Sequence, residues 1–243
     1  MSATKFTLSP PKSKHDSGSV EGLIRTMLKK YRTPLMLIVR SILEKQYLRF
    51  RKALPDVIPY YAIKANPHPD ILKVFMKLGS SFDVASAGEM RQVLGLGVAP
   101  SKIIFANTIK SPEDIEFARK RHVRLVTFDN EPELYKLAKH SPGAHVLVRV
   151  KVDNRGSVVE LSLKFGADAE QAVYLLRKAK TLGLVPTGLS FHVGSQSTNV
   201  ENYLQALEMS AGIFKEARQA GLNLKIVDIG GGFPIQHFDD LKI

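Results

Sequence analysis

The sequence contains no cysteine. That absence removes a disulfide framework, a Cys-ligated metal and a cysteine nucleophile. Long apolar runs are missing as well: none approaches the roughly 20 residues of a membrane span. Met1 to Val20 is polar, with Ser, Lys, Pro and Gly, and lacks the apolar stretch of a signal peptide. A soluble, cytoplasmic protein is the expectation. The histidines are scattered without metal-ligand spacing, so no metal centre is expected. No Gly-rich dinucleotide turn follows the first strand-like run. Acidic residues are scarce at one end. Residues 1–52 hold twelve Lys/Arg against Asp16, Glu21 and Glu44, a net +9 of the chain's +12. A basic arm of this kind can bind nucleic acid or an acidic surface. No nucleic-acid motif accompanies it, so it reads as a solvated leader followed by a basic helix face.

The 243 residues are 44% hydrophobic, enough for one sizeable core. Residues 1–18 read as disordered, lacking periodicity, and 1–33 together form a basic leader. Val20, Leu23, Ile24, Met27, Leu28 and Tyr31 are spaced as one helix face. Thr33-Pro34 breaks that helix, Leu35–Val39 is a strand-like run, and Ser41 is placed to cap a further helix. From Pro59 a rhythm sets in. Strand-like runs fall at 59–64, 82–85, 102–106, 123–128, 145–150, 186–193 and 224–229. Helical patterns fill the intervals at 69–78, 87–95, 112–121, 131–140, 168–182 and 199–220. Ser111-Pro112-Glu113-Asp114 and Asn130 signal helix starts. Gly79, Gly97, Gly183 and Gly221 signal helix ends. Alternating strands and helices imply a parallel sheet. Units of roughly twenty residues fit an α/β (β/α)8 TIM-type barrel better than an open doubly wound sheet. Seven strands are counted, so the barrel is expected to be incomplete, with unpaired edges on strands one and seven.

The polar residues at the strand ends point to chemistry. The run Pro59–Ile63 ends in Lys64, before Ala65-Asn66-Pro67. A desolvated Lys at the C-terminal tip of a barrel strand can lose its proton and form a Schiff base with an aldehyde. Asp83 lies in the second strand-like run, with Glu89 one turn into the next helix, and Arg149 in the fifth. Arg149 can bond a phenolate or carboxylate, or pair with Asp83 or Glu89. The sixth run ends His192-Val193-Gly194-Ser195. The seventh ends Asp228-Ile229-Gly230-Gly231-Gly232-Phe233-Pro234. Three consecutive glycines free backbone N–H groups to wrap a phosphate. Ser195 can add a hydroxyl, and His192 can stack on a planar ring. An amine for an aldehyde, a ring partner and a phosphate cradle together suit pyridoxal 5′-phosphate.

Six motifs occur in order: Tyr61-Ala62-Ile63-Lys64-Ala65-Asn66, Phe82-Asp83-Val84-Ala85-Ser86, Ile104-Phe105-Ala106-Asn107, Leu163-Lys164-Phe165-Gly166, Phe191-His192-Val193-Gly194-Ser195 and Asp228–Pro234. Over about residues 34–240 the chain resembles the ornithine/lysine/diaminopimelate decarboxylases, pyridoxal-phosphate enzymes with an alanine-racemase-like barrel. Ser162–Gly166 and Phe233-Pro234 make it most similar to the ornithine branch; lysine and diaminopimelate decarboxylases are the alternatives within the family. The separate single-domain pyridoxal-phosphate barrel proteins do not share these motifs. The resemblance implies that Lys64 holds the cofactor as a Schiff base and His192 stacks on its ring. It implies that Ser195 and the Gly230, Gly231 and Gly232 amides hold the phosphate. It further implies that Asp83, Glu89 and Arg149 line the site beside the ring, that Lys164 lies near the boundary of a homodimer, and that residues 34–243 are the N-terminal cofactor-binding barrel.

Family members continue with an eighth strand bearing Glu-Pro-Gly-Arg and a β-rich C-terminal domain carrying a Cys-containing loop. Neither occurs in these 243 residues. Little or no decarboxylase activity is therefore expected of this chain alone. Three readings follow: the N-terminal part of a decarboxylase, a non-catalytic relative that binds cofactor or pairs with a full-length subunit, or, through the basic leader, a nucleic-acid or surface-binding protein, which no motif supports. The intact Lys64, His192, Ser195 and glycine triplet favour the first.

Overall fold

A computed structural model describes residues 20–31, 33–158 and 164–235. The stretch read as disordered, 1–18, and Leu163 of the fourth motif lie outside them. The chain divides into two compact units, Met1–Pro55 and Asp56–Ile243.

In the first unit the expected amphipathic helix is present as α1 (Val20–Lys30). The run 35–39 is not a strand. Among the described residues it has no ladder partner, and an extended segment without one is not a strand. Helix α2 (Arg40–Ala53) begins two residues earlier than expected, with Val39 rather than Ser41 at the cap position and no side-chain cap bond.

The second unit alternates strand and helix throughout. Its strands are β1 (Tyr60–Ala62), β2 (Ser81–Val84), β3 (Ile103–Phe105), β4 (Leu125–Phe128), β5 (His145–Arg149), β6 (Val185–Ser190) and β7 (Ile226–Asp228). Between them run α3 (Pro69–Lys77), α4 (Ala87–Gly95), α5 (Pro112–Lys120), α6 (Glu131–His140), α7 (Ala172–Thr181) and α8 (Glu201–Gln219). The start expected near 168 is a short 3-10 turn at Ala169–Gln171, which leads into α7. The caps follow the sequence signals. Ser111 Oγ accepts from the Asp114 N–H at 3.1 Å, and Asn130 Oδ1 from the Glu133 N–H at 2.9 Å. Such bonds satisfy donors that the first helical turn leaves open.

The seven strands are all parallel and run in the order β1-β2-β3-β4-β5-β6-β7. A doubly wound sheet reverses its strand order at a switch point. Strict succession with a helix between neighbours is instead the wiring of a TIM-type barrel, here of seven strands. Among the described residues β1 and β7 pair with one neighbour each, so the barrel is incomplete. Phe82, Phe105, Phe128 and Phe191 are fully buried in one core with Leu134 and Leu137. Strands covered on both faces explain why these runs read as continuous apolar segments rather than alternating ones. At Gly188 on β6 a side chain has no room, because a Cβ would collide with the Ile226 carbonyl of β7.

Candidate active site

The C-terminal strand ends carry the residues singled out by sequence. β1 ends at Ala62, and a 3-10 turn, Ile63–Ala65, carries Lys64 beyond the sheet edge. The side chain is therefore exposed rather than desolvated: β1 is an edge strand with β2 as its one partner among the described residues. Lys64 opens onto a cavity of about 200 Å³ whose polar wall is Asp83, Glu89, Asn107 and Arg149, with Phe165 at its side.

Asp83 is partly buried in β2. Burial pushes its carboxyl up to about 6; the Lys64 charge opposes this, while Asp228 and Glu89 add to it. Glu89 serves two ends. Its Oε2 accepts from the Ala85 N–H at 2.7 Å, and Ser86 Oγ accepts from the Glu89 N–H at 3.3 Å. This is a capping-box exchange at the start of α4, with the carboxylate reaching one residue further back than usual. It holds Glu89 in place at the cavity.

Arg149 ends β5. It makes no ion pair with Asp83 or Glu89; among the described residues no carboxylate lies within 4 Å of it. Its guanidinium sits 5.1 Å from the centre of the Phe165 ring, a cation–π contact. Burial lowers its pKa, opposed at longer range by Asp129, Asp228 and Asp83.

His192 follows β6. Its Nδ1 accepts from the Gly194 N–H at 3.0 Å, which leaves the ring proton on Nε2. Burial, with the charges of Arg149 and Lys64, pushes its pKa down to about 4. The imidazole is thus neutral near pH 7 and available as a flat ring. Ser195 is exposed beside it. Beyond β7 the glycine turn packs against this segment. A Cβ at Gly230 would collide with the Phe191 carbonyl, and one at Gly232 with the Gly194 carbonyl. Gly230 and Gly232 also have φ of 66° and 87°, values that L side chains rarely adopt. The Gly230 N–H is held by Asp228 Oδ1 at 2.9 Å. The amides of Gly231 and Gly232 have no acceptor among the described residues.

The predicted residues therefore form two adjoining groups. Lys64, Asp83, Glu89 and Arg149 share the cavity. His192, Ser195 and the glycine turn stand beside it, with His192 within electrostatic reach of Lys64 and Arg149. Lys164 is exposed next to Phe165.

Several participants had no role assigned from sequence. Asn107 closes the cavity and donates to the Ala85 carbonyl at 3.3 Å. Asp129 Oδ2 accepts from the Gly166 N–H at 3.0 Å and so anchors the segment carrying Phe165. Asp228 accepts from Ser190 Oγ at 2.9 Å as well as from Gly230. Asn107, Phe165 and Asp228 all lie inside the quoted motifs, which was the available signal. For Asp129, its place directly after the fourth strand-like run was the signal.

The residues present suit a flat, phosphorylated aldehyde. An amine opens on a polar cavity, a neutral ring stands beside it, and the Gly231 and Gly232 N–H groups have no acceptor among the described residues, in a turn where Gly230 and Gly232 leave no room for a side chain.

Comparison with known proteins agrees with this geometry. The sequence model of the pyridoxal-dependent decarboxylase family, pyridoxal binding domain, matches residues 40–242. The lysine/ornithine decarboxylase of Selenomonas ruminantium is 43% identical over 220 residues, covering 90% of this chain and 56% of that protein. The crystal structure of an SrLDC mutant in complex with PLP superposes with a TM-score of 0.86 at 43% identity, covering 89% of this chain and 56% of that one. The arginine decarboxylase of Paramecium bursaria Chlorella virus, bound to agmatine, gives a TM-score of 0.86 at 34% identity, covering 92% and 61%. The chain thus spans little more than half the length of these relatives. By motif order, strand succession and these matches, it belongs to the pyridoxal-dependent decarboxylase family, of which it carries the pyridoxal-binding domain.

Proposed function

We propose that this chain is the cofactor-binding part of a pyridoxal-phosphate-dependent decarboxylase of a basic amino acid. L-ornithine is the first substrate, giving putrescine and feeding polyamine synthesis, and L-lysine is the second. The observation that carries the reading is that the Lys64 amine shares one cavity with Asp83, Glu89 and Arg149, while His192, within electrostatic reach of Lys64 and Arg149, adjoins a glycine turn whose Gly231 and Gly232 amides have no acceptor among the described residues. Lys64 is assigned as the residue that carries the aldehyde carbon. His192 covers one face of the ring, and its neutrality avoids placing a second cation beside Arg149. Ser195 and the Gly231 and Gly232 amides take the phosphate, while Gly230 shapes the turn. The bound cofactor supplies an electron sink for the pair released when the Cα–carboxylate bond breaks. Asp83, ionised above about pH 6, steadies the Lys64 ammonium and the positive field of Arg149. Glu89, fixed by its backbone bond, keeps the wall polar.

Residues 34–243 are taken as the barrel domain and 1–33 as a basic leader. Lys164 is placed near the boundary of a homodimer. Ornithine rests on Ser162–Gly166 and Phe233-Pro234.

Borohydride reduction of the chain with pyridoxal phosphate, followed by peptide mapping, tests the site. The pyridoxyl group is expected on Lys64 and is lost in Lys64→Ala. Label scattered over surface lysines would reject the assignment. Because little or no turnover is expected of these 243 residues alone, substrate choice is read from CO2 release by a full-length decarboxylase that contains them, with L-ornithine, L-lysine and L-arginine side by side; faster release from either of the latter two would displace ornithine.

A further inference from the structure

Tyr203 stands in the first turn of α8, half-buried, and no motif of the sequence singles it out. Its hydroxyl donates to the Gly231 carbonyl at 2.8 Å. Its ring stacks on Phe233, the residue after the glycine triplet, with centroids 5.3 Å apart and planes 8° apart. The next carbonyl, that of Gly232, accepts from the Ser197 N–H at 2.8 Å.

The geometry of a trans peptide gives these contacts a consequence. The C=O of Gly231 and the N–H of Gly232 belong to one rigid plane and point in opposite directions. Whatever holds the carbonyl therefore aims the amide. Glycine has the widest backbone freedom of any residue, and three in a row leave such a plane free to turn. A fixed donor on α8 removes that freedom before any ligand arrives. Burial pushes the Tyr203 hydroxyl up to about 12, so it stays protonated and can only donate to the carbonyl.

We propose that Tyr203 is a positioning residue for anion binding: through the Gly231 carbonyl it presets the Gly232 N–H toward the phosphate of a phosphorylated ligand. The inference rests on the reading of the glycine turn as the phosphate site.

Tyr203→Phe is the discriminating change. It removes one oxygen and keeps the ring that stacks on Phe233. Affinities of the wild-type and variant chains are measured for pyridoxal phosphate and for pyridoxal, which lacks the phosphate. The wild type is expected to prefer the phosphorylated ligand. The variant is expected to bind pyridoxal phosphate roughly three- to tenfold more weakly, the range for one neutral hydrogen bond, with pyridoxal unchanged. Comparing two ligands on one protein guards against a general loss of fold, which would weaken both. Equal weakening of both ligands, or no change in either, overturns the role of Tyr203 while leaving the phosphate site standing. A wild type that shows no preference for the phosphorylated ligand overturns the phosphate site, and the inference with it.

Discussion

His192 and Asp83, each shifted by burial, give the site opposed responses to acid. In the folded chain His192 has its pKa depressed to about 4 from an ordinary 6.5. Between these values the unfolded chain binds the proton and the folded chain does not. The stability from keeping this ring neutral is full above pH 6.5 and is lost as pH falls toward 4. Asp83 acts in the other direction. Its pKa is raised to about 6 from 3.8, so the folded chain takes up that proton first, and stability falls as pH rises from about 4 to 6. His192→Gln should therefore gain urea resistance relative to the wild type as pH is lowered from 6.5 to 4. Asp83→Asn should gain relative to the wild type as pH is raised from 4 to 6. Parallel stability curves for wild type and either variant would contradict the burial assigned to that residue. The identities of both residues were legible as strand-end polar groups. Their protonation was not, because it depends on what covers them.

At the scale of elements, the rim segment between β3 and α5 is held by a buried cation. Lys110 Nζ donates to the Asn107 carbonyl at 2.7 Å and the Thr127 carbonyl at 2.6 Å, and lies 3.0 Å from Glu133 Oε1 on α6. Glu133 also pairs with Lys136 at 2.6 Å. Burial pulls the Lys110 amine down to about 8 despite Glu133. Lys110 thus ties the cavity residue Asn107 to β4 and α6. Lys110→Met should lower unfolding free energy by about 3 kcal/mol, because the partner carboxylate stays buried with half its compensation. Adding Glu133→Leu should recover part of that loss; a double variant less stable than the single one would contradict this account. Asn130→Ala, which removes the α6 cap, should cost about 1 kcal/mol in the same denaturation measurement. The caps at Ser111 and Asn130 were readable because capping is decided within four residues of chain. The run 35–39 misled for the opposite reason: apolar composition suits a strand, but a strand also requires a partner, and that lies outside the local sequence.

Across the second unit as a whole, one continuous core joins the strands to the helices, from Ile63 and Leu72 through Phe128 to Phe191 and Leu222. Truncation at its centre should be felt everywhere. Phe128→Ala is expected to destabilise this unit by about 3–5 kcal/mol, with strand amides on both sides of β4 losing exchange protection together. Protection lost only near β4 would mean that the core is not one cooperative body. The alternation of strands and helices, the parallel sheet and the list of chemistry-bearing strand ends were determined by the sequence itself. They follow from hydrophobic period, cap residues and glycine placement, all of which act over a few residues. Only the tertiary structure decided that Lys64 stands exposed past an edge strand, that Arg149 faces Phe165 rather than a carboxylate, and that Asp228 occupies the Gly230 amide. The same holds for Tyr203 and Gly231, which meet across 28 residues of chain. Such contacts exist because the β6 and β7 tips and the start of α8 are brought together by the curl of the sheet, and no local pattern encodes which distant segment arrives.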